Sequence, residues 1–178
     1  MYAFSILVSL TAAASASKAF HYTVPTSFKA AAASNCTLPA EFTVTDFTYS
    51  TDNANDTLGT VNFKFSDPDT KIEATCQRTP DSTSSGPSSN IYACNNANIA
   101  FIYQTTGIAG LTLIEKACPG GSGIQYEASG LVTPDLVCED AASGTGTICH
   151  SKESSIAGDF DSFGPVPPTR GRRLTRRG

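Results

Sequence analysis

Apolar and polar side chains alternate along EFTVTDFTYS (residues 41–50), the mark of a half-buried strand. The alternation returns over LGTVNFKFS (58–66), with Val61, Phe63 and Phe65 on one face and Asn62 and Lys64 on the other. The polar cluster Thr51-Asp52-Asn53-Ala54-Asn55-Asp56 between them predicts a hairpin turn. Further short strands are predicted over 71–76, 91–94, 98–104, 111–117, 124–133, 136–139 and 147–152. They are separated by Asp67-Pro68-Asp69, by Cys118-Pro119-Gly120-Gly121, and by polar loops at 77–90 and 141–146. Within 111–117, Leu111, Leu113 and Glu115 fall on the face opposite Thr112, Ile114 and Lys116. No stretch carries a capped apolar period of 3.6 residues. The expectation is an all-β chain: a single antiparallel β-barrel or β-sandwich of about eight short strands, with almost no helix in the mature domain.

The first strand carries a conflict. Under plain alternation each face of 41–50 holds both apolar and polar groups. One extra residue reverses the phase of everything after it. A β-bulge near Asp46 therefore brings Phe42, Val44, Phe47 and Tyr49 to one side, and a bulge is predicted there.

Outside this body the pattern changes. The apolar run Ala3–Leu10 followed by Ala14-Ser15-Ala16 reads as a signal peptide over residues 1–16, cleaved after Ala16. The run is shorter than the ~20 apolar residues that a membrane-spanning helix needs, and no later segment reaches that length. Residues 17–35 read as a flexible leader, 36–156 as the β domain, and 157–178 as a disordered tail containing GPVPP and GRRLTRRG. The protein is expected to be secreted and extracellular.

All six cysteines follow the signal segment: Cys36, Cys76, Cys94, Cys118, Cys138 and Cys149. An even count in a secreted chain implies a disulfide framework, with about 15 possible pairings that sequence does not choose among. No CxxC or CxxH spacing points to structural zinc. The sequons at Asn35 and Asn55 are candidate N-glycosylation sites, of which Asn55 is the more accessible.

Charge divides the chain. Residues 17–169 carry seven basic against 16 acidic groups, a balance of −9, while five arginines crowd the last nine positions. Nucleic acid is not expected as a partner of the acidic body, because phosphates demand positive charge. The Arg tail reads as a solvated tail, a substrate for a secretory-pathway protease, or a lure for an anionic partner.

Residues able to do chemistry are few. The imidazoles are His21, in the leader, and His150, and no GxSxG elbow accompanies a serine. The densest carboxylates are Asp67, Asp69 and Glu73, followed by Glu139-Asp140. Paired carboxylates suit glycoside hydrolysis or calcium, but Pro68 and the missing glycine break the EF-hand spacing, and Asp-Pro-Asp is an ordinary turn. Tyr92, Tyr103 and Tyr126 are candidates for a ligand patch or for cross-strand pairs.

FTVTDFTY, TVNFKFSDPDT with a cysteine shortly after, IYACNNANIAFIY, LTLIEKACPG and the late cysteine pair resemble a family of small secreted fungal proteins, typified by the Alternaria major allergen. The resemblance spans residues 36–156. It implies a compact antiparallel barrel or sandwich, secretion, and for some members an effector or elicitor role at a plant–fungus interface. It brings no catalytic residues. It implies bridges Cys76–Cys94 and Cys138–Cys149. That leaves Cys36 and Cys118 for each other, or Cys36 for an intermolecular link with Cys118 free.

The reading is a secreted, non-enzymatic protein acting by binding, effector- or elicitor-like, on an unknown host or cell-wall protein or polymer. No cofactor or metal is expected, and the protein is expected to be a monomer or dimer. The alternatives are an allergen-like barrel holding a small ligand and a carbohydrate-active hydrolase using a carboxylate pair. The hydrolase requires Asp67, Glu73 and Glu139, or His150 with a carboxylate, to converge in one cleft.

Overall fold

A computed structural model describes residues 19–31, 36–52, 59–85, 90–118, 124–142 and 144–166. These form one short helix, α1 (Thr26–Ala31), and the strands β1 (Glu41–Thr51), β2 (Thr60–Asp67), β3 (Ile72–Arg78), β4 (Tyr92–Ala93), β5 (Ile99–Gln104), β6 (Gly110–Ala117), β7 (Tyr126–Val132), β8 (Leu136–Asp140), β9 (Thr147–Ser151), β10 (Ser155–Asp159) and β11 (Ser162–Pro165). All pairings are antiparallel. One sheet runs β3-β2-β1-β9-β8, with β10 also on β1; the other runs β11-β7-β6-β5-β4. The all-β antiparallel expectation holds.

The outer edge of the long β1 is shared. Its first half, Glu41–Thr45, pairs with β10, and its second half, Thr48–Thr51, pairs with β9. Between them the register on β2 slips between Thr45 and Thr48, so that Asp46 and Phe47 together oppose Phe63. Asp46 takes φ 55°, a left-handed conformation that Asp tolerates better than most residues. The bulge lies where the alternation breaks. Phe42, Val44 and Phe47 are buried, and Tyr49 packs against the same cluster.

The two inner faces meet in an aromatic core. Phe42 lies 4.9 Å from Phe160, Phe63 lies 5.0 Å from Phe101, and Phe47 and Tyr49 each lie 5.2 Å from Tyr103. Spacings of this kind contribute ~0.5–1.5 kcal/mol per ring pair beyond the area they bury.

The sheets join along both sides. On one side Cys76 of β3 is bonded to Cys94, and Asn95 donates its backbone N–H to Thr75 O (3.0 Å). On the other, β10 crosses close over β7, and Phe160 and Asp161 carry the chain into β11. A Cβ at Gly130 would meet the Asp159 carbonyl, and one at Gly158 would meet the Phe42 ring, so this seam requires glycine. The expected domain end at residue 156 lies inside β10. The strand pattern continues to Pro165 because Phe160 and Phe163 supply apolar anchors beyond it.

The disulfides are Cys36–Cys118, Cys76–Cys94 and Cys138–Cys149, with Cα–Cα separations of 5.5, 4.3 and 4.0 Å. Residues 19–31 of the leader dock on the body, with Tyr22 and Phe28 packed into its hydrophobic clusters. Residues 1–16, Asn35, Asn55 and the Arg tail lie outside the described residues.

Candidate functional site

Two apolar stripes run along the inner faces, and each includes a carboxylate. On β2 the buried series is Val61, Phe63, Phe65, Asp67; on β6 it is Leu111, Leu113, Glu115, Ala117. Strand alternation therefore carries both acids inward at the same end of the core. Asp67 is 2 % exposed and Glu115 is 0 % exposed.

The turn after β2 holds Asp67 in place. Its Oδ1 accepts the backbone N–H groups of Asp69 (2.6 Å) and Thr70 (3.1 Å), and Lys71 closes the turn at φ 61°. The buried Glu115 carboxyl and Thr70 hydroxyl face each other and Asp67, so the two acids and the hydroxyl form one small polar group inside the core. Burial pushes the Glu115 carboxyl up to about 8; a hydrogen bond from the Thr70 hydroxyl opposes this, while the Asp67 charge, a hydrogen bond between the two carboxyl groups and the Asp69 charge add to it. Burial likewise raises Asp67, against the two backbone N–H bonds that favour its charged form.

The leader covers this end. The Tyr22 hydroxyl donates to the Pro39 carbonyl, and its ionisation is disfavoured first by burial and then by Asp67, Glu115 and Asp69. The Tyr22 ring stacks on Phe163 (5.1 Å, 10°), and Phe163 stacks on Tyr126 (5.6 Å, 13°). Phe28 of α1 stands edge-on to both Tyr126 and Phe163 at 5.0 Å, and its hydrophobic cluster includes Cys36 and Cys118. The Cys36–Cys118 bridge thus ties the segment that follows the leader to the end of β6. His21 lies 3.7 Å from Asp159 at the rim.

The other sequence candidates are dispersed. Glu73 pairs with Ser66 on β3 and is exposed, and Glu139 and Asp140 are exposed on the edge strand β8. Asp67, Glu73 and Glu139 do not line a common pocket. His150 is exposed on β9 between Thr48 and Val137. Tyr92 and Tyr103 flank buried Arg78, whose guanidinium lies 5.5 and 5.9 Å from their ring centroids, while Tyr126 belongs to the leader cluster. The three tyrosines therefore form no surface patch. Glu115 was missing from the sequence candidates, although its phase with Leu111 and Leu113 was the signal for it.

On the outer face of β1, β2 and β3 lies an open groove of about 550 Å³, bordered by Thr45, Lys64, Ser66, Glu73, Thr75 and Asn95. Lys64 Nζ reaches Asp46 Oδ2 at the bulge (2.9 Å), and the Asn95 side-chain carbonyl accepts the Thr75 backbone N–H (2.8 Å).

Two antiparallel sheets around one aromatic core, bridged by three disulfides, define a small disulfide-stapled β-barrel-type protein. The chain belongs to the family described as Alternaria alternata allergen 1, whose model matches residues 44–154. A crystal structure of Alternaria alternata allergen Alt a 1 shares the fold with TM-score 0.50 and 16% identity, over 72% of this chain and 91% of that one. A second crystal structure of the same major allergen aligns with TM-score 0.47 and 17% identity, over 72% and 96% of the two chains. No curated protein matches the sequence.

Proposed function

We propose that this is a secreted protein that acts by binding, effector- or elicitor-like, on a host or cell-wall polymer or protein through the outer face of β1–β3, without a catalytic step. One contrast carries the reading. The carboxylates that the fold brings together are sealed under Tyr22, while the groove open to solvent presents hydroxyl, amide and single charged groups beside Phe65 and Ala74. A glycosidase-type pair needs access to its substrate and to water. An interior small-ligand site is opposed by the aromatic rings that fill the space between the sheets. Three disulfides and family membership support secretion.

The groove's lining suits a neutral, hydroxyl-rich polymer. Titrating the protein with chitin and β-glucan hexasaccharides is expected to shift the backbone amide resonances of Thr45, Thr75 and Asn95 with no new reducing ends. Asn95→Ala should weaken the interaction by about tenfold, the range for a lost hydrogen bond with a stranded partner. Release of reducing ends by the wild type, lost in Glu115→Gln, would establish the hydrolase instead.

A further inference from the structure

We propose that the solvent face of β5, β6 and β7, on the sheet opposite the groove, is an adhesion surface for a neutral lipid phase that offers acyl chains and no net charge.

The outer faces of the two sheets differ. In the sheet that carries the groove, the outward positions read across the strands as Thr45, Lys64 and Thr75, then Thr43, Ser66 and Glu73. Such polarity is expected of an antiparallel sheet with one face in water. In the other sheet, Ala100, Ile114 and Ser129 lie side by side, with Ile102, Thr112 and Leu131 in the next row. Leu131 is 41 % exposed. Strand β5 is apolar from Ile99 to Tyr103 without a break, the pattern of a strand covered on both faces. The core covers one of them, and the other stays partly open to solvent.

Charge selects the occupant. No Asp, Glu, Lys, Arg or His occurs from Ser82 to Ile114. The first charges on this face are Lys116 and Glu127, cross-strand partners at its border. A protein partner tolerates charge at the rim and is anchored by Trp, Tyr and Arg, none of which stands in the two rows. An anionic membrane is repelled by a body that is net acidic over residues 17–169. A hydrocarbon surface penalises charged groups and unpaired backbone alike. This face avoids both penalties, because β5, β6 and β7 each lie between two paired strands. Ile108, 73 % exposed, carries the uncharged surface to the tip of the β5–β6 hairpin.

The groove and this face lie on different sheets, so a polymer and a lipid surface do not compete for the same side chains. The lipid reading stands whether or not the groove binds a polymer.

The test is co-flotation of the disulfide-intact full chain with triolein droplets coated in phosphatidylcholine, at low and high salt. The wild type is expected to float with the droplets at both, because apolar contact is not screened. Ile114→Ser and Leu131→Ser alter only the solvent face, so each should melt close to the wild type while partitioning to droplets about tenfold less. Ile148→Ser, on the outer face of the other sheet, should partition like the wild type. If a variant fails to fold, hydrogen exchange of the wild type on droplets decides, with slowed exchange expected in β5, β6 and β7. No flotation, or undiminished flotation of folded Ile114→Ser and Leu131→Ser, would overturn the proposal. So would flotation lost at high salt, which would assign the contact to the Arg tail. A wild-type dimer in sedimentation that Leu131→Ser dissociates would also overturn it, by giving the face to a second copy.

Discussion

In the middle of the core Phe63 and Phe101 pack ring against ring, yet towards one end of the same two sheets Asp67 and Glu115 are buried against each other. The two regions share strands, register and dryness, and differ in what completes them. The middle is closed by the two sheets alone. The carboxylate end is closed by a segment from outside the strand pattern, with Tyr22 and Phe28 laid over Phe163 and Tyr126 beside the Cys36–Cys118 bridge. Burial by alternation costs nothing extra when the side chain is apolar. When it is a carboxylate, the same alternation creates a cost that a proton and hydrogen bonds within the covered group must relieve.

That contrast can be broken at the middle first. Phe63→Ala removes a ring 2 % exposed and should cost about 3–5 kcal/mol in urea unfolding. A loss near that of an exposed residue would show that the aromatic stack is not the stabilising centre.

At the covered end, replacing Cys36 and Cys118 by alanine opens a cross-link spanning 82 residues and should cost about 2–5 kcal/mol. The loss should come with faster hydrogen exchange confined to the leader and the ends of β6 and β7. Uniformly faster exchange would mean that the two regions are one cooperative unit.

Protonation gives a cleaner separation. The Glu115 carboxyl is raised from 4.5 to about 8 in the folded protein, so between those values the folded state holds a proton that the unfolded state has lost. Stability from this group is therefore full below about pH 4.5, falls as the pH rises towards 8, and is level above that. The total is on the order of a few kcal/mol. Melting temperature should decline from pH 5 to pH 8, and Glu115→Gln should flatten that slope. An unchanged slope in the variant would place the effect on other groups.

The smallest effect belongs to the bulge that aims β1. Asp46→Val places a β-branched residue at φ 55° and should cost ~1–2 kcal/mol, whereas Asp46→Gly should be near neutral, because it loses only an exposed ion pair with Lys64. Thermal melts of the two variants in parallel check this. Equal losses would point to the ion pair rather than the backbone.

The strand alternation made much of this legible in advance. Val61, Phe63 and Phe65 were assigned to one face, and the broken phase at Asp46 predicted the bulge that turns Phe47 inward with Phe42 and Val44. Glu115 also shares the phase of the Leu111–Leu113 face, but one strand does not show what lies opposite it. The sequence reads Asp-Pro-Asp as a turn whose carboxylates cluster with Glu73, and the turn is there, closed on Asp67 Oδ1. Glu73 points outward because it sits opposite Ser66, whereas Asp67 continues the inward series.

Periodicity is a local property, so the sequence by itself determined the strands, their inner faces and the bulge. Pairing across the core is not local. Only the tertiary structure brought Asp67 to Glu115 from separate sheets and extended the strands past residue 156 to Pro165. It alone laid the leader over the end where alternation buries two carboxylates. Tyr22 stacks on Phe163 and Phe28 stands against Tyr126 and Phe163, residues roughly a hundred or more positions away, and no pattern within the leader encodes those contacts.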